Sequence, residues 1–305
     1  MTNKEECRMD LAGDNKSEQE TLEESKHGGK LYGEHGNCTD THSQYEADAG
    51  TGGGESLLKQ ALIYEKGIGG TVDKERAFKY CYMVAENGYE PAFVVLGRYY
   101  INGFGTKIDM PKAVEWYKKA ADLGDADAQN RLGVRYDRGE GVEKNSREAV
   151  KWFRKAASQG HVKAQFNMGV CYQNGIGVEK DEVKAVEWYR KSAEQGFDCA
   201  QYNLGVCYDN GAGVEKDEAR AAECYRAAAE QGNALAQNEL GACYEYGTGV
   251  EKDVKKAADW YRKSAEQGYD EAQYNLGICY EYGIGVEKDE TKAEEWYRKI
   301  IGEKN

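Results

Sequence analysis

Residues 164–196 read AQFNMGVCYQNGIGVEKDEVKAVEWYRKSAEQG, and the order of residue types in that stretch specifies two helices and the turn between them. Ala164, Met168, Cys171 and Tyr172 recur at i, i+4, i+7 and i+8, the apolar stripe of a helix of about three turns. Gly175-Ile176-Gly177-Val178 ends that stripe, because glycine reaches positive φ at little steric cost. Asp181 then offers a carboxylate to the free amides of a second helix start. The second stripe is Ala185, Trp188, Tyr189 and Ala193, and it stops at Gln195-Gly196. The first helix of such a pair is termed helix A below, and the second helix B.

The same pattern returns every 36 residues without an insertion. It can be followed through Gly97, Gly133, Gly169, Gly205, Gly241 and Gly277, and through the tyrosines from Tyr64 to Tyr280. Trp116, Trp152, Trp188, Trp260 and Trp296 keep the register on helix B. Seven units fit between Leu57 and the end of the chain, so the expected fold is all-α: a helical solenoid of about seven 36-residue helix-turn-helix repeats. The terminal units depart from the pattern, as solenoid ends do: Ala61 stands for Gly, Tyr80 for Trp, and Ile300-Ile301 for the usual small pair. On helix B, Glu115 with Lys119, Glu187 with Lys191, Asp259 with Lys263 and Glu294 with Arg298 are spaced i, i+4 and predict a solvated, ion-paired face.

Upstream of the repeats the composition changes. Residues 1–55 lack Val, Ile, Phe and Trp and carry thirteen acidic against five basic residues. A segment of that kind buries too little apolar surface to offset its ordering entropy. It reads as a disordered acidic tail joined through Gly52-Gly53-Gly54 to a repeat domain at 56–305. The whole chain of 305 residues has a formal net charge of -13, which disfavours binding to nucleic-acid phosphates. No apolar run approaches the length of a membrane span and the first residues contain no apolar signal core, so a cytoplasmic protein is expected.

The unit Ala-x3-Leu-Gly-x2-Tyr-x2-Gly-x-Gly-Val-x2-Asp-x2-Lys-Ala-x2-Trp-Tyr-x-Lys-x-Ala-x2-Gly, read with small deviations from Ala200, Ala236 or Ala272, resembles the Sel-one-like repeat, a relative of the tetratricopeptide repeat. The resemblance covers about four fifths of the chain. It implies a right-handed α/α superhelical solenoid that serves as an adaptor in signalling, secretion or quality-control complexes. One branch of that family is cysteine-rich and exported, binds or weakly hydrolyses penicillin, and links successive units by disulfides at a Cys-x7-Cys spacing. Here those positions are Ala157 and Gln165, Ala193 and Gln201, Ala229 and Gln237, Ala265 and Gln273, so the branch is disfavoured.

Little in the sequence signals chemistry. Cys171, Cys207, Cys243 and Cys279 fall one repeat apart, on the order of 10 Å by helix packing, too far to share a zinc ion or a disulfide. They read as small core thiols. His27, His35, Cys38 and His42 in the tail have metal-ligand spacing but no apolar framework to hold a site. The recurring Gly-x-Gly-Val turn lacks the Lys-Ser/Thr ending and preceding strand of a phosphate loop. His161 reads as an exposed turn residue, and Ser146, Ser158, Ser192 and Ser264 occupy repeat columns that accept other residues. No cofactor or metal is expected.

The informative residues form a second series on helix A, opposite its core stripe. In tetratricopeptide-like superhelices, which the repeats resemble, helix A lines the concave side. Phe166, Tyr202, Tyr246, Tyr274 and Tyr282 would then be aromatic anchors in a groove, with Asp137, Asp209, Glu245 and Glu281 as acidic partners for Lys or Arg. The alternative is that these aromatics pack between neighbouring helices A. The expected function is a non-enzymatic adaptor that binds a basic or amphipathic protein segment on this face. The alternative is a weak β-lactam-binding or hydrolysing enzyme like the cysteine-rich branch.

Overall fold

The structure, a computed structural model, describes residues 53–302. Among them are fourteen α-helices and no strand. The first helix begins at Gly53, inside the glycine run read as a joint. The rest of the acidic tail, with its histidine and cysteine set, lies outside the described residues.

The described chain falls into two compact units that divide at Ala156–Ala157. The first holds α1 (Gly53–Lys66), α2 (Lys74–Glu86), α3 (Pro91–Asn102), α4 (Met110–Asp122), α5 (Ala126–Arg138) and most of α6 (Ser146–Ser158). The second holds α7 (Val162–Asn174), α8 (Glu182–Glu194), α9 (Asp198–Asn210), α10 (Glu218–Glu230), α11 (Ala234–Tyr246), α12 (Val254–Glu266), α13 (Asp270–Tyr282) and α14 (Glu290–Ile300). Odd-numbered helices are helices A and even-numbered ones helices B, as the 36-residue period predicts.

In every pair but the first, which has Ala61 and Cys81 at the two positions, a ring seated on a glycine joins the two helices. The helix-B ring column, Tyr117, Phe153, Tyr189, Tyr225 and Tyr261, is buried. Each ring lies where a Cβ would project from the helix-A glycine of its pair; a Cβ at Gly241 would stand 2.7 Å from the Tyr261 ring. A helix interior accepts glycine only at a cost of roughly 1 kcal/mol against alanine. Burying an aromatic ring contributes about 2–3 kcal/mol, so the exchange is favourable.

The turn between A and B is closed by a clamp. Asp181 accepts a hydrogen bond from the Lys184 amide at 3.0 Å, and its second oxygen takes the Lys184 ammonium at 2.6 Å. That ammonium lies 5.5 Å from the Tyr172 ring centre, and the Asp181 amide donates to the Tyr172 carbonyl at 2.9 Å. The arrangement recurs at Asp73, Asp109, Asp217, Asp253 and Asp289. The exception is Asn145, which caps the Glu148 amide and so has an acid where its counterparts have a cation.

Within the second unit successive pairs are tied by a glutamine ladder. Gln195 donates to Gln165, Gln231 to Gln201 and Gln267 to Gln237, each at 2.7 Å. The receiving glutamines donate in turn to Ala157, Ala193 and Ala229 carbonyls. These are the positions that carry disulfides in the cysteine-rich branch of the resembled family; hydrogen bonds stand in their place.

The ion pairing expected on helix B needs correction. Lys119, Lys191 and Lys263 do not turn to the acids four residues earlier; each stands 3.6–4.3 Å over the indole three residues earlier, Trp116, Trp188 and Trp260. Only Glu294 with Arg298 forms as expected, at 3.3 Å. A cation over an indole face is favoured by the ring quadrupole, and the lysine stem covers apolar surface at the same time. Each tryptophan is thus capped by a cation: Trp188, Trp260 and Trp296 are half-buried, while Trp116 and Trp152 belong to the buried core.

Candidate protein-binding face

The outward series on helix A runs from closed to open along the second unit. Phe166 is fully buried, 5.8 Å from Tyr189 and 5.3 Å from Phe197 ring centre to ring centre. It is core, not a surface anchor: Phe197, on the loop of the next pair, closes over it. One repeat on, Asn233 stands where Phe197 stood, and Tyr202 is left half-buried against Tyr225 at 6.0 Å. Tyr246, Tyr274 and Tyr282 are open, at 71%, 54% and 67% of full exposure. Of the two alternatives for these aromatics, packing describes Phe166 and an open face describes the last three.

Two of the acids on this face, Glu245 and Glu281, are held by helix-B tyrosines. The Tyr261 hydroxyl donates to Glu245 and the Tyr297 hydroxyl to Glu281, both at 2.7 Å, and Tyr189 makes the same bond to Gln173 at 2.6 Å. The helix-B ring that fills the glycine thus also fixes the acid of the paired helix A. Burial, followed by the bond to Glu245, pushes the Tyr261 hydroxyl pKa upward, so it remains a donor. One hydrogen bond leaves each carboxylate with further acceptor sites, and Asp209, Glu245 and Glu281 are half-exposed. Asp137, in the first unit, is buried and accepts from Ser146 at 3.3 Å, so it is a structural group and not a partner site.

Two acids that periodicity did not single out belong to the same neighbourhood. Tyr269 donates to Glu271 at 2.8 Å, and Glu239 adds to the burial that raises the Tyr225 and Tyr269 hydroxyls. They were missed because they lie outside the series chosen at i, i+4, i+7 and i+8. A tally of charge by helix would have found them: α9, α11 and α13 together contain seven acidic residues and no lysine or arginine.

The remaining polar groups have structural employment. Ser192 and Ser264 are buried and donate to the Val162 and Ala234 carbonyls at 3.0 and 2.7 Å. His161 is not a plain turn residue; its Nδ1 accepts the Ala164 amide and caps α7. Burial pushes the Cys207 and Cys224 thiols up to about 11 and those of Cys81, Cys243 and Cys279 up to about 12. Two depressions of about 470 and 400 Å³ lie against turns, one at Tyr136 and Glu148 and one at Tyr244 and Lys256; neither joins a nucleophile to a base. Among the described residues no three ligands gather for a metal, and no helix is long and apolar enough to cross a membrane.

A family profile described as Sel1 repeat matches residues 55–89, 95–125, 126–161, 162–197, 200–233, 234–269 and 270–301. The chain belongs to the Sel1 repeat family. Solved relatives agree: a Sel1 repeat protein from Oxalobacter formigenes is 36% identical over 80% of this chain and 96% of its own, with a TM-score of 0.71. A protective antigen present in uropathogenic Escherichia coli strains, described as displaying an SLR fold, is 42% identical over 85% of this chain with a TM-score of 0.78. The chain spans 56% of that antigen's length. None of the curated proteins compared with the chain matches it. Sel1 repeat proteins are in general protein-interaction scaffolds and in general not catalysts.

Proposed function

We propose that this Sel1 repeat protein is a non-enzymatic adaptor whose helix-A face in the unit 157–302 binds a basic or amphipathic segment of another protein. The single observation that carries the reading is the exposure of Tyr246, Tyr274 and Tyr282 beside carboxylates held by core tyrosines. Tyrosine supplies a large, stiff contact area and is enriched among residues that dominate binding. Large exposed aromatics on one side of a helix array cost solubility, and a partner that buries them gives that cost a use.

The test is a cross-linked affinity purification of the full chain beside the variant Tyr246→Ala, Tyr274→Ala, Tyr282→Ala. The expected result is loss of specific proteins from the variant with an unchanged melting temperature. An identical set of bound proteins would move binding away from this face.

A further inference from the structure

One turn clamp of the array has its charge reversed. In six pairs an N-cap aspartate holds the lysine or arginine three residues on, and that cation stands 5.3–5.7 Å from the centre of a helix-A tyrosine ring, from Arg76 over Tyr64 to Lys292 over Tyr280. In the pair of α5 and α6 the aspartate is Asn145 and the cation is Glu148. The frame of the clamp is kept: Asn145 accepts the Glu148 amide at 3.1 Å, and its own amide donates to the Tyr136 carbonyl at 2.8 Å. Among the described residues no cation stands over the half-buried Tyr136 ring.

The ring and the acid line a depression of about 470 Å³, together with Val142, Glu143, Lys144 and Asn145. The equivalent depression at Tyr244 is lined by its clamp's own Lys256, 3.4 Å from Asp253 and 5.3 Å from the ring centre. Glu148 is not spent on the helix cap, because the N-cap amide that a capping box would give it goes to Tyr136. It accepts from Lys151 at 2.5 Å, an exposed pair three residues apart. Pairs of that kind hold weakly, and the carboxylate keeps further acceptor sites. Lys144 is the internal competitor. Its counterparts Lys180, Lys216 and Lys288 turn to Glu182, Glu218 and Glu290 at 2.8–2.9 Å, and Ser146 stands here in place of those acids.

We infer that the depression at Tyr136 and Glu148 receives a lysine or arginine side chain of a partner protein, with its cation over the Tyr136 ring and against Glu148. Six other pairs show what a ring at this place takes, and the exchange of a cation for an acid turns the seventh from a filled clamp into a receptor for the same group. A cation is drawn both by the ring quadrupole and by the carboxylate. One such contact orients a partner more than it holds it. The site lies in the first unit and stands or falls apart from the helix-A face of 157–302.

The experiment places 3-fluorotyrosine at position 136 of the full chain, and in a second protein at position 172, whose ring already has Lys184 at 5.5 Å. The fluorine resonances are followed while acetyl-Gly-Lys-Gly-amide is added at constant ionic strength, with the Nε-acetylated peptide as the neutral control. The resonance at 136 is expected to move saturably with the lysine peptide, with an affinity at least about fivefold above that at 172, and to ignore the acetylated one. Glu148→Gln should weaken the binding by about fivefold. Asn145→Asp with Glu148→Lys installs the clamp of the other pairs; it should keep or raise the parent melting temperature and abolish the response at 136. Equal responses at 136 and 172, or a response that survives the installed clamp, would overturn the inference. A response that appears only after Lys144→Ala would mean that the chain's own lysine fills the site, and the inference falls. Sedimentation that shows dimers of the parent and monomers of the installed-clamp variant would give the site to a second copy and overturn the assignment to a partner protein.

Discussion

A methyl group at Gly241 is the smallest change that tests how each helix pair is built. Its Cβ would stand 2.7 Å from the buried Tyr261 ring, and the ring has no open space into which to turn. Gly241→Ala should lower stability by about 1–3 kcal/mol despite the better helix propensity of alanine, read as a fall in urea midpoint. A stabilised variant would mean that the ring and glycine do not form the contact. Gly249 meets a different limit: at φ +69° it lies against the Glu218 carbonyl of the preceding pair, so a side chain there is excluded twice over. Both glycine columns were legible in the sequence as punctuation. Their partners were not, because a period says which residues are equivalent and is silent on what they touch. The same gap explains Phe166, whose identity as an aromatic in the outward series was visible while the lid over it, Phe197, lies beyond α8 at the N-cap of α9.

At the scale of the element, the caps and the ladder carry the expectations. The Lys184 side chain, and for Asp253 and Asp289 the backbone amides of Lys256 and Lys292, hold the N-cap carboxylates below the ordinary aspartate value. A depressed carboxylate contributes stability that is complete above its unfolded pKa near 3.9 and is lost as pH falls through the lower folded value. The melting temperature should therefore be level from pH 7 to about pH 5 and drop below about pH 4, and Asp253→Ala should lower it at neutral pH. An unchanged melting temperature at pH 3 would contradict the capping account. In the ladder, Gln237→Leu removes a donor to the Ala229 carbonyl and an acceptor for Gln267. Urea unfolding should register a loss of about 1–3 kcal/mol, the cost of leaving buried polar groups unpaired. The helices themselves, their lengths and their turn residues followed from stripes and glycines. The lysine positions on helix B were misassigned because i, i+4 ion pairing competes with i, i+3 stacking on an indole, and spacing alone ranks the two equally.

For the whole molecule, seven repeats were countable from one sequence because the period never slips, and the outward series of tyrosines and acids on helix A was partly legible. What sequence withheld was which of those side chains remain open, since exposure depends on neighbours one repeat away. Five thiols of the helix pairs should be unreactive in the folded protein. With pKa values of about 11 to 12, Cys81, Cys207, Cys224, Cys243 and Cys279 are thiolate at roughly one part in a thousand to ten thousand near pH 8. Alkylation followed by peptide mass analysis should find them protected in the native chain and modified in urea. Rapid native modification of any of the five would indicate that its helix pair opens readily.

The central claim is that partners meet the helix-A face of the unit 157–302 and not the indole row of its helices B. Placing a photo-activated benzoylphenylalanine at position 246 or 282, and in separate proteins at position 188 or 260, tests it within the intact chain. Protein adducts are expected from positions 246 and 282 and not from the two tryptophan positions. Adducts from positions 188 and 260 with none from 246 and 282 would contradict it.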